Sequence, residues 1–89
     1  MLYMVIETYM QGPKPVYRRA AERGRLLPPG LTYLESWVEE PGLGRCFQLM
    51  ETEEPTLFEE WSASWRDLVE FEIVPLVSSA AAAARVGER

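Results

Sequence analysis

Small and apolar residues along this chain recur at two spacings, one typical of strands and one typical of helices, and the same succession occurs twice. The apolar segment 2–9 is followed by Pro15 and by a stripe at helical spacing, at positions 16, 17, 20, 24 and 27. The segment 45–52 is followed by Pro55 and a stripe at positions 57, 58, 61, 65 and 68. Since a further strand follows each unit, the pattern predicts two β-α-β units.

Two such units in sequence predict an α+β fold: a ferredoxin-like βαββαβ sandwich with a four-stranded antiparallel sheet. The 89 residues are expected to form a single domain, residues 1–89. The helices are expected from Pro15 to about Leu27 and from Pro55 onward, and the outer strands over 31–39 and 69–77.

The end of the chain carries further structural signals. Pro75 cannot donate to a sheet ladder, so it favours an edge position or a bulge for the last strand. Ser78 is a good N-cap, and the alanine run 80–84 favours a short C-terminal helix over 78–86. Because so short a helix is marginal alone, we expect it to pack on its own domain or on a neighbouring subunit.

The two central strands carry apolar side chains on both faces. Met4 and Ile6 alternate with Val5 in the first, and Phe47 and Leu49 are apolar on one face of the third. Strands of this kind are usually covered on both sides, and a large bare apolar face would be unusual on a monomer. We therefore predict a homodimer formed through the open sheet face. The outer strands are expected to place Tyr33, Glu35, Trp37, Glu70 and Glu72 on that face.

Charge and composition exclude several classes of function. The net charge of −5 and the pI near 4.7 argue against a nucleic-acid partner. No apolar run approaches the roughly 20 residues of a membrane span, so no membrane partner is expected. The absence of a recognisable signal peptide predicts a cytoplasmic location. One cysteine and no histidine exclude an internal disulfide, a zinc site and Cys/His or Ser/His nucleophiles, and no metal or cofactor is expected.

The chain has one basic cluster, on the expected polar face of the first helix. Its members are Arg18, Arg19, Arg23 and Arg25, and Glu22 lies among them. Two interpretations are open, a solvated helix face and an anion-binding site. The mixture of charges favours the solvated face.

Glu7 and Glu51 occupy equivalent places in the two repeated units, near the ends of the two central strands. If these strands ran parallel side by side, the two carboxylates would lie close together, and one pKa would rise into a range suited to proton transfer. The same pair could bind a divalent cation. Alternatively, both acids are simply exposed at strand ends, which is the interpretation that the sequence favours.

A second group of candidates combines aromatic and polar side chains. Trp37 with Tyr33, Glu35 and Gln48 has the composition of a small-molecule pocket and equally that of a dimer interface, which we favour. Trp61 lies on the core stripe one helical turn from a second tryptophan, so it is expected to be a core residue or a pocket wall. If buried, its indole N–H needs an acceptor, which Glu51 or a backbone carbonyl could provide.

Three stretches of the chain carry a family resemblance: residues 46–52 (CFQLMET), 57–65, and 67–75 (DLVEFEIVP). Together they resemble a family of small uncharacterised bacterial proteins known only as a domain of unknown function. That family is similar to the dimeric α/β-barrel superfamily, in which two ferredoxin-like sheets pair and the pocket usually lies between sheet and helices of one subunit. Trp37, Glu51, Trp61 and Glu72 match positions characteristic of the family, and the resemblance gives none of them a catalytic role.

The resemblance implies activities only by analogy. The superfamily includes monooxygenases of aromatic polyketides, lactone isomerases, haem-handling enzymes and ligand-sensing domains, and the missing histidine argues against haem. Three hypotheses follow. The first is a homodimeric small-molecule-binding protein. The second is a cofactor-independent enzyme, isomerase- or monooxygenase-like, that moves protons with carboxylates. The third is a structural or partner-binding domain.

Overall fold

A computed structural model of the protein describes residues 1–87, and its elements follow in the predicted order β-α-β-β-α-β-α. The strands are β1 (Leu2–Tyr9), β2 (Thr32–Val38), β3 (Arg45–Glu51) and β4 (Val69–Leu76). The helices are α1 (Pro13–Arg23), α2 (Leu57–Ala63) and α3 (Ser79–Val86). The last two residues of the single domain predicted over 1–89 lie outside the described residues.

The four strands form one sheet in the order β2-β3-β1-β4, and every neighbouring pair is antiparallel. Together with the helix order, this confirms the predicted α+β ferredoxin-like arrangement. β4 is an edge strand, as Pro75 indicated. β1 and β3 are central, and their register places Glu7 opposite Cys46 and Leu2 opposite Glu51.

Both helices of the repeated units pack on one face of the sheet, and the core lies between these two layers. Val5 and Met50 on the central strands are fully buried there. Aromatic rings fill much of the layer in edge-on contacts, with Tyr3 and Phe58 centred 5.0 Å apart. The buried apolar residues are Tyr3, Val5, Tyr9, Val16, Leu31, Cys46, Met50, Phe58, Trp61, Trp65, Leu68 and Val69.

The first helix ends earlier than its apolar stripe predicted. Gly24 adopts φ +73°, a conformation that suits glycine, and its N–H donates to the Ala20 carbonyl at 2.8 Å to close the last turn. The chain then runs as a loop to β2. Leu27, the last member of the stripe, still packs against the core from this loop. The periodicity therefore marked burial correctly but continued beyond the end of the helix.

A bulge in β2 corrects the prediction that Tyr33 lies on the open face. The register shifts between Tyr33, which is opposite Met50, and Glu35, which is opposite Leu49. The extra residue reverses the alternation, so Tyr33 faces the helices while Glu35 and Trp37 face away from them. The predicted placement of Glu35 and Trp37 on the open face is therefore correct.

The sheet face opposite the helices keeps its apolar side chains partly exposed. Trp37 is 52% exposed, and the apolar residues of the central strands on this face are only half-buried. α3 begins at Ser78, whose hydroxyl accepts a hydrogen bond from the Ala81 N–H, and it buries none of its residues. Within residues 1–87, no helix has the length and apolarity needed to cross a membrane.

Candidate functional site

A cavity of about 240 Å³ lies between the sheet and the two packed helices. β1 and β3 form its floor, α1 and α2 form its walls, and the loop after α1 lies at its rim. The residues that line it are Glu7, Tyr9, Val16, Tyr17, Ala20, Arg25, Ser36, Val38, Cys46, Gln48, Trp61 and Trp65. It therefore combines an aromatic wall with a few polar groups, the composition typical of small-molecule sites.

Glu7 places a carboxyl group in the floor of this cavity. It follows Tyr3 and Val5 on the helix-facing side of β1, and only 5% of it is exposed. The side-chain nitrogen of Gln48, on β3, donates a hydrogen bond to Glu7 Oε2. Gln48 is itself 7% exposed, and its Oε1 is a buried side-chain oxygen with no hydrogen-bond partner in residues 1–87.

Burial sets the protonation of this site. Removal from water raises the pKa of Glu7 to about 7, against the opposing effects of the Gln48 hydrogen bond and the positive charge of Arg25. Burial also raises the pKa of the Tyr9 phenol and of the Cys46 thiol, so both keep their protons at neutral pH. Glu7 is thus the group in the cavity that exchanges a proton near neutrality.

Two tryptophans of the cavity wall hold the loop that follows α1 in place. Trp61 Nε1 and Trp65 Nε1 donate to the carbonyl oxygen of Arg25 at 2.9 and 3.0 Å. The acceptor for Trp61 is therefore the backbone carbonyl foreseen in the sequence, and Glu51 plays no part. The Arg25 side chain crosses the rim with its Cζ 3.6 Å from the centre of the Tyr33 ring.

The alternative in which Glu7 and Glu51 lie close together is wrong, and the favoured interpretation, that both acids are exposed, holds for Glu51 but not for the buried Glu7. β1 and β3 run antiparallel, so Glu51 is opposite Leu2 while Glu7 is opposite Cys46. The two positions are five residues apart along β1, about 17 Å at the rise of a strand. Glu51 is also exposed. Neither shared protonation nor a shared cation is possible for this pair, and within residues 1–87 no group of potential ligands is arranged to hold a metal ion.

The sheet also divides the second predicted group. Gln48 lines the cavity, and Tyr33 lies at its edge, where its hydroxyl bonds Ser36 Oγ at 2.8 Å. Glu35 and Trp37 are on the opposite face, so a ligand-binding role for these two stays a prediction that would involve the open face. Trp61 is both a core residue and a cavity wall.

Several lining residues were not singled out in the sequence, and Arg25 and Tyr9 are two polar ones among them. Arg25 was assigned to the solvated basic face of the first helix, but Gly24 ends that helix and directs Arg25 toward the cavity rim. Recognising Gly24 as a helix end would have revealed this. The sequence marks Tyr9 as the end of a strand, and its position two residues after Glu7 places it on the same face.

The sheet topology and the cavity between sheet and helices define a small α+β sandwich of the ferredoxin-like type with a candidate ligand site between its layers. The chain belongs to the family described as "Domain of unknown function (DUF3303)", whose model matches residues 1–89. No curated protein matches the chain, and no solved structure matches it.

The buried carboxyl of Glu7 should make folding stability depend on pH. Below pH 4.5 this group is protonated in both folded and unfolded chains; between pH 4.5 and about 7 the unfolded chain ionises first, and the folded state loses relative stability. Relative to Glu7→Gln, we expect wild type to lose about 3 kcal/mol of unfolding free energy between pH 4.5 and 8, measured by urea denaturation. The exposed-site control Glu51→Gln should follow wild type; equal slopes for wild type and Glu7→Gln would contradict the assignment.

Proposed function

We propose that this protein binds a small organic molecule in the cavity between its sheet and helices. The observation that carries the proposal is the amide oxygen of Gln48. It is buried and lacks a partner in residues 1–87 while it belongs to a residue that lines the cavity. Leaving such a group unpaired costs roughly 1–3 kcal/mol, so buried polar atoms usually have partners. A bound molecule with an N–H or O–H group would provide one.

The dimensions and walls of the cavity indicate the size of that molecule. A volume of about 240 Å³ is just below the range of about 300–1,000 Å³ that is common for ligand sites. Trp61 and Trp65 offer broad apolar surfaces, and their indole N–H groups are already used by Arg25. Tyr17, 49% exposed, stands at the opening. A molecule built on one ring fits this space.

Filling the cavity should abolish binding. Ala20 lines it, whereas the neighbouring Ala21 is exposed on α1, so Ala20→Leu and Ala21→Leu form a matched pair. We expect at least one member of a set of single-ring acids, bases and neutral molecules to shift the indole N–H NMR signals of Trp61 and Trp65 saturably. Ala21→Leu should bind as wild type does, and Ala20→Leu should lose binding at least tenfold.

Trp37, on the open face, provides an internal reference for that experiment, since its signal should not move. The proposal fails if no molecule in the set shifts the two cavity tryptophans, or if Ala20→Leu and Ala21→Leu bind equally. Either result would favour the third hypothesis, a structural or partner-binding domain.

A second candidate function is proton transfer within the same cavity. It is favoured by Glu7, whose pKa of about 7 lets it accept and return a proton at neutral pH. A cofactor-independent isomerase needs such a group beside an enclosed substrate. An experiment in deuterated water distinguishes the two functions. An enzyme would exchange a C–H hydrogen of the ligand for deuterium, whereas the Glu7→Gln variant would bind the ligand without exchanging it.

We also propose that two copies of the chain associate through the open sheet face. Its support is the row of half-buried apolar residues on β1, β3 and β4, together with the exposed Trp37. Four strands of about seven residues present roughly 19 by 23 Å, or about 440 Å² on each copy, a little over half of the about 800 Å² per partner of a standard interface, so the expected pair is a small one. The residues that form this row are Leu2, Met4, Ile6, Phe47, Leu49, Val74 and Leu76.

A cytoplasmic location stays a prediction of the sequence.

A charge placed in the middle of this row should prevent association. Ile6→Glu puts a carboxylate at the centre of the open face, whereas Ala21→Glu makes the same charge change on the exposed side of α1. We expect light scattering after size exclusion to give a dimer for wild type and Ala21→Glu at micromolar concentration, and a folded monomer for Ile6→Glu. A monomeric wild type would contradict the proposal.

A further inference from the structure

Arg25 lies at the rim of the cavity with its guanidinium group unpaired. The salt bridges within residues 1–87 use other cations, and no side-chain hydrogen bond of Arg25 is formed there. Its contact is with the face of the Tyr33 ring, 3.6 Å away. Stacking of this kind leaves the N–H groups at the edge of the guanidinium plane available, and their fork matches the two oxygens of a carboxylate.

The main chain holds Arg25 in place independently of its side chain. Its carbonyl accepts the two indole hydrogen bonds, and the next residue, Leu26, has φ +61°. An L-residue in that conformation persists only where its surroundings fix it. The guanidinium therefore projects from an anchored point, and replacing the side chain leaves the anchor intact.

Gln48, which lines the same cavity, offers a hydrogen-bond acceptor where Arg25 offers donors. Its nitrogen is engaged with Glu7, and its oxygen, an acceptor, has no partner within the described chain. A ligand that satisfies this oxygen must present an O–H or N–H group at its inner end. The residues that line the cavity thus include one with free donors at the rim, Arg25, and one whose buried oxygen has no partner within the described chain, Gln48.

We propose that the molecule bound in this cavity is a compact organic acid that places its carboxylate on Arg25 and a hydroxyl or amino group on Gln48 Oε1. The inference rests on the proposed function, because it assigns the chemistry of that same ligand. Trp61 and Trp65 line the same cavity as these two residues, which suits a single unsaturated ring that carries both groups. Arg25 thus favours a ligand with a negative charge, and Gln48 favours a ligand with an O–H or N–H donor.

The charges that line the cavity favour an anion over a cation. Arg25 carries a positive charge at the rim, so a cationic ligand would bring a second positive charge close to it. Glu7 is the one carboxyl group among the lining residues, and its neutral form is populated near pH 7. One anionic ligand can therefore enter without forming a pair of like charges.

Three probes of one ring size test the two contacts separately. 4-Hydroxybenzoate has both groups, 4-hydroxybenzamide lacks the negative charge, and 4-methoxybenzoate lacks the O–H donor. Each is titrated into the full chain while the indole N–H signals of Trp61 and Trp65 are followed. We expect the affinity of 4-hydroxybenzoate to be at least about tenfold higher than that of either analogue. This is the difference expected for one charge-assisted or one buried hydrogen bond.

Two arginine variants locate the charge recognition. Arg25→Gln removes the guanidinium at the rim, and Arg23→Gln makes the same change on the exposed last turn of α1. Arg25→Gln should weaken binding of 4-hydroxybenzoate about tenfold and leave 4-hydroxybenzamide unchanged. Arg23→Gln should leave both unchanged. Arg25→Lys, which keeps the charge without the fork, should fall between wild type and Arg25→Gln.

The inference is overturned if the amide binds as tightly as the acid, or if Arg25→Gln and Arg23→Gln behave alike toward the acid. If 4-methoxybenzoate binds as tightly as 4-hydroxybenzoate, the proposed role of Gln48 is wrong. If only molecules without a carboxylate shift the indole N–H signals of Trp61 and Trp65, the assignment of an acid as the ligand is wrong, but the proposed binding function stands. If no molecule of any class shifts them, both proposals fail.

Discussion

The cavity chemistry depends on one constraint, a carboxyl group held among apolar residues on the helix-facing side of a central strand. A charged carboxylate is costly to remove from water unless it is paired, and Glu7 has one neutral donor and a positive charge at the rim. The compromise is a pKa of about 7. The same burial that makes Glu7 a poor contributor to stability makes it able to exchange a proton at neutral pH.

Sheet register then determines which groups surround that carboxyl. Antiparallel pairing of β1 with β3 places Cys46 opposite Glu7 and Gln48 opposite Val5, so the amide reaches Glu7 diagonally across the ladder. Because the amide nitrogen is used there, its oxygen is left for another partner. On the other side, the two tryptophans anchor the loop that carries Arg25. The loop is therefore held through the main-chain carbonyl of Arg25, and the guanidinium of that residue takes no part in the anchor.

The sequence predicted most of the architecture, because apolar periodicity reports burial and proline and glycine report element ends. It placed Glu35 and Trp37 on the open face, yet it failed for Tyr33, since a single extra residue at Leu34 reverses the alternation and no residue type there announces it. The alternative that paired Glu7 with Glu51 could have been discarded from the sequence alone. The antiparallel sheet already predicted requires β1 and β3 to run in opposite directions, which separates the two acids.

The central claim, a Glu7 carboxyl that burial keeps partly protonated at neutral pH, is tested most directly by an NMR titration of the ¹³C-labelled side-chain carboxyl of Glu7. The account predicts a midpoint near pH 7, against a value of 4.5 for an ordinary glutamate. A midpoint at or below 4.5 would show that the carboxyl is solvated or fully paired, and would contradict the account.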